Sequence, residues 1–148
     1  MKACIIYDTK RGSTTYFVKW IKEGFEEIKA DLDVDVKRVN EVENFDYELF
    51  VIGSPIYWER PLKTVIDFLS SNGDRLKDRK IAIFVVCMAQ LFGRHTESYV
   101  KKRYLMPLEE KVSGKLIGSK AFRGWLKKPN YKEKEKVVEW IRYLAAKL

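Results

Sequence analysis

Apolar residues fall into two alternating kinds of pattern along this chain. Five short runs carry a strand signature: residues 2–7 (KACIIY), 34–39 (VDVKRV), 48–53 (ELFVIG), 81–87 (IAIFVVC) and 116–122 (LIGSKAF). The first, third and fourth are nearly continuous in apolar residues, as strands covered on both faces are. The second alternates apolar and polar positions, the mark of an edge strand. Between the runs the apolar period lengthens to that of a helix. In 14–29, Phe17, Val18, Ile21, Phe25 and Ile28 form one stripe, with Lys19, Lys22, Glu23, Glu26 and Lys29 largely opposite. In 61–72, Leu62, Val65, Ile66 and Leu69 follow helical spacing, and Pro61 suits the first helical position. Segment 96–112 aligns Tyr99, Val100, Tyr104, Leu108 and Val112, with Thr96 as a candidate N-cap. Segment 132–147 aligns Val137, Val138, Trp140, Ile141 and Leu144. The connection 40–47 (NEVENFDY) is short for a helix and reads as a turn or an irregular stretch. Strands that alternate with helices predict an α/β fold, a doubly wound five-stranded parallel sheet with helices on both faces. No domain boundary is visible, so 1–148 is expected to form one domain.

Composition narrows the class. Hydrophobic residues make up 46% of the chain, enough for a sizeable core and too many for a disordered polypeptide. The longest apolar run, 81–89, is about half of what a membrane span needs. Met1 leads straight into a strand pattern rather than a signal peptide, so a cytoplasmic location is expected. Cys4 and Cys87 form no CxxC and lie in apolar runs, which reads as buried free thiols. Two cysteines and the single histidine, His95, make a poor ligand set for a metal. The formal net charge is +8, which favours anionic partners. The basic residues are scattered among glutamates without a recognition motif, which argues against nucleic acid.

Chemistry is concentrated where strands end. The turn after the first strand reads DTKRGST, residues 8–14. It lacks the glycine spacing of a dinucleotide loop and the GK[ST] of a Walker loop. What it offers is a hydroxyl-rich turn that feeds a helix N-terminus, where unpaired N–H groups and the helix dipole favour an anion. Thr9, Ser13 and Thr14 can donate to a phosphate, Gly12 permits close approach, and Lys10 and Arg11 add positive charge. The third strand runs into SPIYWERP, residues 54–61. Ser54, Pro55 and Ile56 lead to the adjacent aromatics Tyr57 and Trp58, which rarely both enter a core. In a doubly wound sheet both turns stand at the ligand-binding edge. A phosphate cradle beside stacking aromatics suits a flat aromatic ligand with a phosphate tail. A receiver domain needs an aspartate at the end of the third strand, where this chain has Val51, Ile52, Gly53 and Ser54.

These motifs resemble those of the FMN-binding flavodoxins, and the resemblance covers the whole chain. Thr9, Gly12, Ser13 and Thr14 match that family's phosphate loop, and Tyr57 or Trp58 matches its second-loop aromatic. The resemblance implies strand order 2-1-3-4-5, FMN as cofactor, and a redox protein that carries electrons between protein partners. Arg11 stands where the family usually has Thr or Ser, and Glu59 where it often has Gly. The third loop, CMAQLFGRHTE (87–97), lacks the family's Gly-Asp motif. There the backbone of Met88, Ala89 and Gln90 is expected at the ring edge and Phe92 at the second ring face, with His95 a candidate proton relay. GSPIYW is also similar to loops of FMN-dependent NAD(P)H and quinone reductases. SYVKKRYL (98–105) is similar to a stretch of menaquinone-dependent protoporphyrinogen oxidases. That likeness implies an alternative, a flavin-dependent, quinone-linked dehydrogenase. The charge points to an acidic redox partner such as a ferredoxin; the second likeness implies a quinone instead. The basic aromatic loop 123–131 is the expected place for peripheral membrane or partner contact through Arg123, Trp125, Leu126, Lys127 and Lys128.

Overall fold

The structure, a computed structural model, describes residues 1–10, 12–88, 97–125 and 127–148. Five parallel strands form the sheet: β1 (Lys2–Tyr7), β2 (Asp33–Arg38), β3 (Leu49–Tyr57), β5 (Lys80–Cys87) and β6 (Lys115–Arg123). Their spatial order is β2-β1-β3-β5-β6. In order of appearance along the chain this is the expected 2-1-3-4-5. A further short strand, β4 (Arg60–Pro61), folds back antiparallel on the end of β3. Its pairing takes Pro61 out of the predicted helix. The helix α2 (Lys63–Ser71) begins two residues later, with Leu62 extended at its N-cap. A short turn of helix, α3 (Gly73–Leu76), follows.

The alternation of side chains along a strand divides the interior in two. Ala3 and Ile5 of β1 face the core that holds α1 (Ser13–Ile28) and α6 (Lys132–Ala145). Cys4 and Ile6 face the other core, beneath α2 and the helical stretch 97–109. That stretch reads as one helix in sequence. It comprises α4 (Glu97–Val100), a π-helical turn Lys101–Leu105 and α5 (Met106–Glu109). Phe17, Ile21 and Phe25 of the α1 stripe are fully buried, and burying side chains of this size stabilises by roughly 1.5–3 kcal/mol each. In α6, Val137, Trp140, Ile141 and Leu144 are buried, whereas Val138 is only partly so. β2 lies at one margin of the sheet, with Asp33, Asp35, Lys37 and Arg38 exposed, as the alternating pattern predicts. Cys4 and Cys87 are buried and unbridged. Among the described residues, no helix is long and apolar enough to cross a membrane.

Gly53 sits opposite Phe84 in the middle of the sheet. A Cβ at Gly53 would stand 2.0 Å from the Phe84 ring, so only glycine lets that ring lie across β3.

Candidate functional site

β1 ends at Tyr7, and the chain reaches α1 through a short loop braced by one carboxylate. Asp8 Oδ1 accepts from the Thr9 N–H at 2.9 Å and from Arg38 Nη2 at 2.6 Å, while Oδ2 accepts from Thr64 Oγ1 at 2.6 Å. Arg38 also donates to the Thr9 carbonyl at 3.2 Å. The loop is thereby tied to the ends of β2 and α2. Burial alone would push the Asp8 carboxyl up, but the bonds from Thr64, Arg38 and Thr9 hold it below the usual carboxylate range.

The helix that follows starts without a side-chain cap and without an acidic residue in its first turn. Thr15 Oγ1 donates to the Gly12 carbonyl at 2.6 Å, which leaves the first-turn N–H groups uncapped. Thr14 is fully buried, and among the described residues its hydroxyl has no hydrogen-bond partner. A buried hydroxyl is normally satisfied. An orphan hydroxyl beneath an uncapped N-terminus is a local arrangement suited to an anion.

A cavity of about 530 Å³ opens beside this turn, a volume within the usual range of small-molecule sites. The loop and α1 contribute Gly12, Ser13 and Tyr16. β3 and its turn contribute Pro55, Ile56, Tyr57 and Trp58. The end of β5 contributes Val86 and Met88, and the segment after β6 contributes Trp125, Lys127 and Pro129. Trp125 is held by stacking on Phe17, 5.3 Å between centroids, and by the Tyr16 edge at 5.3 Å. Gly124 donates its N–H to the Cys87 carbonyl at 2.9 Å, and a Cβ there would meet Val86 at 3.1 Å and Ser13 Oγ at 3.6 Å. The start of the segment is fixed by Glu133, which is buried and accepts the Arg123 N–H at 2.6 Å. Lys127 is the charged residue among the described lining, and Lys10 Nζ lies 5.6 Å from the Tyr57 ring centroid, a cation–π distance.

The turn that carries Trp58 is a two-residue hairpin between β3 and β4, in which Tyr57 pairs with Arg60. Trp58 and Glu59 have φ of 51° and 64°. The left-handed region costs about 1–2 kcal/mol per non-glycine residue. Glu59 Oε2 accepts from Tyr99 at 2.8 Å and from Tyr104 at 2.7 Å.

Of the residues expected from sequence, Gly12, Ser13, Pro55, Ile56, Tyr57, Trp58 and Met88 line the cavity. Thr9 and Lys10 belong to the braced loop, and Thr14 lies buried behind it. Ser54 does not line the cavity. Its hydroxyl accepts from the Leu62 N–H at 2.9 Å and donates to the Pro55 carbonyl at 2.8 Å, so it fastens the end of β3 to the start of α2. Arg11, Ala89, Gln90, Phe92 and His95 lie outside the described residues, as do Thr96 and Leu126. Sequence reasoning missed Tyr16, Val86, Pro129 and the cavity side of Trp125 and Lys127. Tyr16 carried a signal, since it is an aromatic on the polar side of the α1 stripe. Trp125 follows the carboxyl end of a strand, at the edge where ligands bind.

A doubly wound parallel sheet with an aromatic cavity at its carboxyl edge, beside an uncapped helix N-terminus, defines the class as an α/β protein of the architecture that binds ligands at that edge. The flavodoxin domain matches residues 4–143, and the chain belongs to that family. No curated protein matches the sequence. Among solved structures, oxidised flavodoxin 1 from Bacillus cereus is similar over 100% of this chain and 99% of its own, with a TM-score of 0.71 at 14% identity. A Fusobacterium nucleatum flavodoxin bound to flavin mononucleotide is similar over 99% of this chain and 98% of its own, with a TM-score of 0.68 at 15% identity. A flavodoxin from the domain Archaea gives a TM-score of 0.62 at 17% identity, over 99% of this chain and 98% of its own. At these identities the likeness is one of fold.

Proposed function

We propose that the cavity holds FMN and that the chain carries electrons between protein partners. The observation that carries this reading is an uncapped helix N-terminus whose Gly12 and Ser13 line an aromatic cavity, with the buried Thr14 hydroxyl behind them lacking a partner among the described residues. The residues present fit the group. Ser13, Thr14 and the first-turn N–H groups of α1 would hold the phosphate, with Lys10 adding positive charge. Tyr57, Trp58 and Trp125 offer π faces to a planar ring, and Met88 and Ile56 supply apolar contact. When bound, the flavin would supply the redox chemistry. The protein's own part is to bind, orient and shield. The described lining residues, with hydroxyl, aromatic and aliphatic side chains and one lysine, suit that part.

The charge of +8 supports an acidic redox protein, such as a ferredoxin, as the partner. Lys127 and the exposed Lys128 stand where such a partner would approach the cavity.

The test is a titration of the purified protein with FMN and, in parallel, with riboflavin, followed by tryptophan fluorescence and flavin absorption. Binding of FMN at least tenfold tighter than riboflavin is expected. Equal affinities would remove the phosphate from residues 9–14, and no binding would overturn the reading. Stepwise reduction of the loaded protein in two one-electron stages would support a carrier. Turnover with a porphyrinogen and a quinone, or with NAD(P)H, would replace it by an enzyme.

A further inference from the structure

The two-residue turn between β3 and β4 needs positive φ at both positions, and asparagine followed by glycine is what such a turn prefers. This chain puts tryptophan and glutamate there, at φ 51° and 64°. Backbone of this kind persists when surrounding contacts over-determine it. The contacts in view are those of Glu59. Its Oε2 accepts from two tyrosine hydroxyls at 2.8 and 2.7 Å. Tyr104 is 1% exposed and projects from the π-helical turn, a distortion found often at functional sites. Tyr99 stands edge-on to it, 5.9 Å between centroids. Both hydroxyls stay protonated across the neutral range. Burial and the bond to Glu59 push the Tyr104 phenol up, and the bond to Glu59 pushes up that of Tyr99. Trp58 is 89% exposed although it lines the cavity. A ring with so little packing of its own is placed by its backbone.

We propose that Glu59 is a positioning residue: through Tyr99 and Tyr104 it latches the turn to the helical stretch 97–109 and so sets the Trp58 ring at the cavity mouth. What the ring meets there rests on the flavin reading. The latch itself is a property of the ligand-free chain. It also depends on a side chain at position 59, because a glycine there would relieve the backbone but remove the carboxylate that both tyrosines donate to.

The test uses the double variant Tyr99→Phe/Tyr104→Phe, which leaves the turn residues in place, alongside Glu59→Gln, which keeps an acceptor for both hydroxyls. Amide nitrogen order parameters are measured on ligand-free protein, and FMN affinity by titration. In the double variant the order parameters at Trp58 and Glu59 should fall from about 0.85 towards 0.6 or below. The dissociation constant for FMN should rise about tenfold. Glu59→Gln should retain most of the parent's order and affinity. Unchanged order parameters would overturn the latch. Loosening of the turn with unchanged FMN affinity would overturn its role in placing Trp58, as would a lowered melting temperature with neither effect. If the parent chain binds no FMN, the flavin reading fails alone, and the latch is still decided by the order parameters.

Discussion

A single carboxylate does much to define the first loop. Asp8 gathers three donors, one from its own loop and one each from β2 and α2, and each of them favours its ionised form. Folding therefore lowers its pKa, and the unfolded chain binds more protons in the interval between the two values. The stability that Asp8 contributes is complete above the unfolded value of about 3.9 and is lost as pH falls through the lower, folded one. Asp8→Asn should lower stability at pH 7 by about 1.5–3 kcal/mol, the usual scale for a hydrogen bond to a charged group. The gap between variant and parent in denaturant melts should narrow steadily below about pH 4. A gap of the same size at pH 7 and pH 3 would mean that Asp8 acts through its shape and not its charge.

Whole strands and helices were more legible in the sequence than their junctions. The apolar runs of β1, β3 and β5 read as strands covered on both faces, and the polar alternation of β2 put it at a margin. The stripe of α1 likewise named four buried residues, Phe17, Val18, Ile21 and Phe25, but missed Trp20 and included Ile28, which is only partly buried. β4 was not legible, because two residues carry no period and its turn lacks the glycine that would announce it. Pro61 misled for the same reason: it suits a helix start, yet pairing with Ile56 draws it into the hairpin. The π-helical turn inside 97–109 leaves no trace in apolar spacing. For the site, loops with a recognisable vocabulary were readable, such as Gly12 with Ser13 and Tyr57 with Trp58. Tyr16 and Trp125 were not, since their place in the cavity depends on how α1 meets the end of β6. The register of the central strands also sets a limit that no motif records. Gly53→Ala would drive a methyl group into the ring of Phe84, which is fully buried. Overpacking of this kind typically destabilises by about 1–3 kcal/mol. Chemical denaturation of the variant should show at least that loss, and unchanged stability would mean that the ring has another rotamer open to it.

At the scale of the molecule, charge and sheet topology act on different neighbours. The excess of eight positive charges extends its influence over the Debye length, about 30 Å at 0.01 M salt and about 8 Å at 0.15 M. If an acidic redox protein is the partner, its association rate constant should fall at least tenfold between these conditions in stopped-flow mixing. A rate that ignores salt would assign recognition to the aromatic rim alone. The sheet meets a different kind of neighbour at β2. Every parallel sheet of this open type ends in a strand whose outer N–H and C=O groups are free to template another chain. Here the outermost strand carries aspartate, lysine and arginine at four of its six positions, all exposed. Covering that margin would strip water from ionised groups with nothing assured to replace it. The hydration of β2 therefore opposes the edge-to-edge joining of sheets that leads to fibres, and it does so even when the protein is crowded against its own copies.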